Sequence, residues 1–117
     1  MTDVIDLKLA LEQAGDNEEL AKELFEMLLK EIPEHKQKLN IAIKENDLQG
    51  CWDHAHKIYG STAYCGVPAL RKAAQRMESA VKNEDMAEIE EKFADLSKEM
   101  DRLLDQGPRT LTTSWET

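Results

Sequence analysis

Two histidines, His54 and His56, are two positions apart on a segment whose apolar periodicity predicts a helix. At that spacing their side chains point about 200° away from each other, so they cannot chelate one metal ion together. Ser61 lies roughly 140° round the helix from His56, which excludes a serine nucleophile activated by that histidine. The chemistry left is attack by His56 itself, because a neutral imidazole has a free nitrogen lone pair. The sequence therefore predicts neither a metal site nor a hydrolytic triad.

His56 is predicted to lie at the border of the apolar stripe, one turn after Trp52 and one turn before Gly60. Its imidazole would be held by buried neighbours and still reach water. Glycine disfavours a helix by about 1 kcal/mol, and its missing side chain leaves His56 uncovered from the next turn. This gap indicates a histidine that another protein approaches.

The charge around His56 suits a phosphoryl group. No Asp or Glu occurs within residues 54–77, in a chain whose net charge is −9. Such a positive zone would stabilise a phosphohistidine and attract an acidic partner pocket. From these residues alone, a border histidine without chemistry remains an equal alternative. The basic residues of the stretch are Lys57, Arg71, Lys72 and Arg76.

Amphipathic helices joined by short turns must position these residues. Of the 117 residues, 41% are hydrophobic and only 5% aromatic, which is typical of a helical bundle and poor in sheet formers. Asp16–Glu19 reads as a helix start, and Pro33 either begins a new helix or kinks a long one. Because short connections make neighbouring helices antiparallel, we predict an all-α, antiparallel up-down four-helix bundle with additional N-terminal helices. Apolar spacing and breaks place helices at about 7–14, 33–44, 48–65 and 68–82, and from 86 to a stop at Gly107-Pro108.

The length accommodates one domain, which we place at residues 1–106, with residues 107–117 as a tail expected to be flexible. Trp115 either docks on the bundle or belongs to a free end. The negative charge argues against nucleic acid and membrane as partners, and no apolar run approaches the ~20 residues of a membrane span. Cys51 and Cys65, about 20 Å apart along one predicted helix, are expected to be free thiols in a reducing compartment.

The run His56-Lys57-Ile58-Tyr59-Gly60-Ser61 resembles the phosphorylation motif of histidine-containing phosphotransfer (HPt) domains, usually His-x-Leu-Lys-Gly-Ser/Ala. Its continuation through Tyr64-Cys65-Gly66-Val67-Pro68 is similar to the HPt domain that ends hybrid sensor kinases of the BarA/GacS type. The likeness extends over residues 3–104.

This resemblance implies a bundle that relays phosphoryl groups between aspartates of receiver domains, one in a hybrid sensor kinase and one in a response regulator. His56 would carry the phosphoryl group, Gly60 would make room for the docked receiver, and Lys57 would lie on the docking face. Arg71 is assigned to the same docking set. Gln75 is the nearest candidate for the glutamine with which family members often steady the imidazole.

The sequence thus predicts a phosphorelay intermediate without a cofactor and without ATP-dependent kinase activity of its own, because it has no phosphate-cradling loop. Tyr59 replaces the lysine that the family commonly has before the glycine, which leaves open the cation that holds the phosphate. The domain is expected in the cytoplasm, free or as the end of a membrane-anchored sensor kinase. The alternative is a helical adaptor that binds a partner through the same face with His56 unmodified.

Overall fold

In the computed structural model, which describes residues 3–112 and 115, four long helices form an antiparallel up-down bundle. Each packs on the next, and the last closes the ring against the first. Within these residues there is no strand, and no helix combines the length and apolar character needed to cross a membrane. The predicted all-α bundle is confirmed. The elements are α1 (Leu7–Gln13), α2 (Glu18–Lys44), α3 (Leu48–Ser61), a 3₁₀ turn (Thr62–Tyr64), α4 (Pro68–Lys82) and α5 (Met86–Leu111).

Apolar stripes at helical spacing build the core. On α5, Ile89, Leu96, Met100 and Leu103 are fully buried, and each burial stabilises the fold by about 1.5–3 kcal/mol. Polar side chains define where the helices begin by accepting hydrogen bonds from otherwise unpaired backbone N–H groups. These caps are Asp6, Asn17, Asp47 and Asp85.

Pro33 lies inside α2, which runs unbroken from Glu18 to Lys44. The interpretation that Pro33 begins a helix is therefore wrong, and the alternative of one long helix is correct. Pro33 is exposed, so its ring displaces no side chain of the core. Ile32 and Leu39 are buried on either side of Pro33 and keep both halves of the helix on one core. Consequently α2 is the first bundle helix, and α1 is the additional N-terminal one.

The predicted stop at Gly107-Pro108 is also wrong, because α5 continues to Leu111. Gly107 is buried, and a Cβ there would overlap the side chain of Leu29 on α2. Glycine at this position permits the close approach of α5 to α2, so its role is in packing rather than in ending the helix.

Trp115 docks on the bundle, which resolves the two alternatives left by the sequence. The side chain is fully buried, with its ring edge-on to Phe25 at 5.5 Å between centroids. Its indole Nε1–H donates to the carbonyl oxygen of Thr110 at 2.9 Å. A large aromatic ring thereby covers one end of the core. The domain boundary at residue 106 and the flexibility of the tail stay predictions.

Gly66 shapes the turn that leads from α3 into α4. Its φ of +62° lies in the left-handed region, and its carbonyl oxygen accepts a 2.8 Å hydrogen bond from the backbone N–H of Asp6. A Cβ at this position would overlap the backbone of Asp6 and Ala10 around α1. The turn and α1 therefore pack backbone to backbone, and this contact directs α4 back along α3.

We expect Gly66→Ala to destabilise the fold by more than ~3 kcal/mol, because it combines left-handed strain with steric overlap. Gly15→Ala is the matched control, since Gly15 has a φ of +66° but a Cβ there meets nothing within 4 Å. The control should lose only about 1–2 kcal/mol. Urea unfolding monitored by circular dichroism measures both values, and equal losses would show that the overlap with α1 is relieved at no cost.

Candidate functional site

His56 lies on the edge of α3 that faces α4, and its side chain is 61% exposed. Its Nδ1 atom is 3.2 Å from Oε1 of Glu78 on α4, whose side chain is only 12% exposed. The imidazole also stacks on Trp52, one turn earlier, with 5.3 Å between ring centroids and 12° between planes. Among the described residues Nε2 has no hydrogen-bond partner. The ring is thus held on two sides with one nitrogen left open.

The contact with Glu78 determines which nitrogen can react. An ionised carboxylate only accepts hydrogen bonds, so Nδ1 carries the proton of the neutral imidazole. The lone pair then resides on Nε2, the nitrogen without a partner. This arrangement can serve as a nucleophile that another molecule reaches from solvent.

The outer face of α3 next to His56 is open. A Cβ on Gly60 would meet nothing within 4 Å, and the side chain of Lys57, one turn earlier, is exposed. A partner can therefore approach along this face without displacing a side chain at position 60. The face continues into a shallow groove towards α2, which is lined by Glu31, Glu34, His35, Lys57, Gly60 and Ser61.

The register of α4 against α3 decides which predicted residues reach His56. The Arg71 guanidinium lies 4.3 Å from the ring centroid of Tyr59 and donates to its hydroxyl at 3.1 Å. At the other end of the contact, Lys82 Nζ is 5.3 Å from the ring centroid of Trp52. Arg71 therefore makes its contacts within the domain at the end of α3, and its role in docking stays a prediction.

Glu78, and not Gln75, contacts the imidazole of His56 in the structure, and the role of Gln75 stays a prediction. Gln75 is exposed, and its backbone carbonyl oxygen accepts a hydrogen bond of 3.2 Å from Ser79 Oγ. Glu78 lies one position after the acid-free stretch, and the sequence does not give the register of α4 against α3 that brings it to His56. Its spacing of three from Gln75 and seven from Arg71 was the available signal, since these positions share one helix face.

The predicted positive zone is also smaller than expected. Lys72 and Arg76 line a groove between α4 and α5, away from the edge of α4 that contacts His56. Two of the four predicted cations remain near α3. Lys57 is exposed on α3 itself, and Arg71 of α4 contacts Tyr59 at the end of α3. Lys82, which was not part of the predicted zone, lies nearby over Trp52.

His54 occupies the opposite edge of α3, as its spacing from His56 predicts, and faces His35 of α2 at 5.8 Å between ring centroids. In both rings Nδ1 is buried and has no partner among the described residues. Burial lowers the pKa of His35 and the pKa of His54, so both rings favour the neutral state. Within the described part of the chain, no three His, Cys, Asp or Glu side chains are grouped so as to hold a metal ion.

In comparison with protein families, the model of the Hpt domain aligns with residues 23–106. Among solved structures, the HPT domain from the Hpt sensor hybrid histidine kinase of Shewanella superposes with a TM-score of 0.86 at 30% identity. The superposition covers 93% of this chain and 94% of that one.

Similar sequences occur at the level of single domains of larger proteins. Sensor protein GacS of Pseudomonas syringae pv. syringae is 33% identical over 86% of this chain, and the signal transduction histidine-protein kinase BarA of Escherichia coli K12 is 32% identical over 92%. The chain spans only 11% and 12% of those two proteins. Phosphorelay intermediate protein rdeA of Dictyostelium discoideum is 26% identical over 87% of this chain and 40% of its own length.

The His35–His54 pair makes stability depend on pH. A histidine whose pKa is lowered by folding binds its proton more readily in the unfolded chain, so protonation around the unfolded value of 6.5 favours unfolding. We therefore expect the free energy of unfolding to fall between about pH 7.5 and about pH 5.5. Urea titrations should show a weaker pH dependence in His54→Gln, and the same dependence in both proteins would contradict this coupling.

Proposed function

The chain belongs to the Hpt domain family, a family of phosphorelay intermediates, and we propose that His56 is the residue that carries its phosphoryl group. The observation that carries this proposal is the state of the imidazole: exposed, with Nδ1 bound to Glu78 and Nε2 open. The group would come from an aspartyl phosphate of one receiver domain and pass to the aspartate of another, in a response regulator.

Each step of the transfer forms one bond to phosphorus and breaks another. The Nε2 lone pair attacks phosphorus, an N–P bond forms, and the P–O bond to the donor aspartate breaks as its carboxylate leaves with the electron pair. The ring gains positive charge that is shared with Nδ1–H, and the Glu78 carboxylate, 3.2 Å away, offsets it. In delivery an aspartate oxygen of the second receiver bonds to phosphorus, and the N–P electron pair returns to Nε2.

The docking face proposed for the receiver consists of Lys57, Gly60 and the exposed edge of His56. Gly60 lets the receiver backbone or side chains approach, and Lys57 offers a charge to the acidic pocket that holds the receiver aspartate. We propose that the domain has no ATP-dependent kinase activity of its own and that it lies in the cytoplasm. It would occur there either free or as a small part of a sensor kinase, as the similar regions of GacS and BarA do.

Mixing the protein with a phosphorylated receiver domain should label it with an acid-labile, base-stable phosphate. We expect His56→Gln to abolish the label, because glutamine has no nucleophilic ring nitrogen. His54→Gln is the matched control, two positions away on the opposite edge of α3, and should keep the label. Circular dichroism checks that both variants are folded. Label that survives in His56→Gln and disappears in His54→Gln would overturn the assignment, and a folded protein that accepts no label would favour the adaptor function.

Gly60 tests the approach path. Gly60→Ala should stabilise the helix by about 1 kcal/mol and retain transfer, since the added methyl group meets nothing within 4 Å. Gly60→Gln should keep the fold but slow transfer more than tenfold, because the receiver aspartate must come within about 3–3.5 Å of Nε2. Stopped-flow or quenched-flow transfer assays compare the two variants. A folded Gly60→Gln domain that transfers at the wild-type rate would show that receivers do not approach across this face.

A further inference from the structure

An exposed histidine side chain needs more than one contact to point its reactive nitrogen in a fixed direction. The hydrogen bond from Nδ1 to Glu78 fixes one atom of the His56 ring but allows the ring to rotate about that bond. The stack on Trp52, with planes only 12° apart, removes this rotation. The two contacts together determine where the Nε2 lone pair points.

Trp52 is itself firmly placed. It is partly buried and packs against the core, one turn before His56 on the same helix. The ammonium group of Lys82 on α4 lies 5.3 Å from the centroid of its ring. An aliphatic side chain would fill the same part of the core, whereas a flat face turned towards His56 needs an aromatic ring.

We propose that Trp52 is a positioning residue for phosphoryl transfer, whose indole face orients His56 and stabilises the positive charge that the imidazole acquires. This inference rests on the proposed function of His56 as the carrier. The face of an indole carries negative charge density and attracts a cation placed over it, and a stacked imidazolium is such a cation. The charged groups that face this pair from α4 are Glu78, which favours the cation, and Lys82, which opposes it.

The first test compares rates of transfer from one phosphorylated receiver domain to wild type, Trp52→Phe and Trp52→Leu. Leucine keeps apolar volume without a π face, and we expect transfer to slow about three- to tenfold. Phenylalanine keeps a ring face and should stay within about twofold of wild type. Equal rates in wild type and Trp52→Leu, or an equal loss in both variants, would overturn the role of the indole face and leave His56 as the carrier. A wild-type protein that accepts no label would instead count against the proposed function.

A second measurement needs no receiver and no Trp52 variant, so it tests the ring geometry even where Trp52→Leu fails to fold. A nuclear Overhauser effect between the ring protons of Trp52 and His56 requires the stacked arrangement, in which the ring centroids are 5.3 Å apart. We expect this cross-peak in the wild-type protein, and its absence from His56→Gln identifies it. A folded wild-type protein without the cross-peak would show that the rings are not stacked in solution and would overturn the inference.

Discussion

The antiparallel packing of α3 on α4 is the constraint on which the site depends. The backbone-packed turn at Gly66 reverses the chain, so residues later in α4 lie beside residues earlier in α3. A slip of α4 by one residue would turn its contact face by about 100° and remove the carboxylate from the imidazole. The fold therefore sets the chemistry of the site through helix register. The contacts in order along α4 are Arg71 with Tyr59, Glu78 with His56, and Lys82 with Trp52.

The two edges of α3 give two histidines different environments. His54 is turned towards α2, where desolvation and the lack of a partner for Nδ1 favour the neutral ring. His56 is turned towards α4, where a carboxylate holds Nδ1 and most of the side chain remains in water. Two histidines that are two positions apart on one helix therefore differ in environment. His54 packs between helices, and His56 lies at the surface.

The sequence predicted what depends on local periodicity and missed what depends on how helices meet. The spacing of apolar residues identified α3 and α4 and placed His56 at the core border, because each side chain's face follows from 3.6 residues per turn. Glu78 was missed since no single helix specifies its register against a neighbour. Local rules predict breaks at Pro33 and at Gly107-Pro108, yet apolar residues that pack on the core before and after each proline keep α2 and α5 continuous. The motif residues Lys57 and Gly60 are exposed on α3, and their role in docking stays a prediction.

A carboxylate at position 78 differs in one respect from the glutamine that family members often use to steady the imidazole. Either side chain can accept the Nδ1–H hydrogen bond, but the charged carboxylate lowers the energy of a positively charged ring more than a neutral amide does. Its charge also repels a phosphoryl group, yet that group would be bonded to Nε2, across the ring from Glu78. Attraction to the ring acts over a 3.2 Å contact, whereas the more highly charged phosphoryl group would lie farther away across the ring, so the two effects oppose each other. The stack on Trp52 also stabilises a positively charged ring. The register of α4 against α3 brings Glu78 to His56, and the helical turn within α3 brings Trp52 to it.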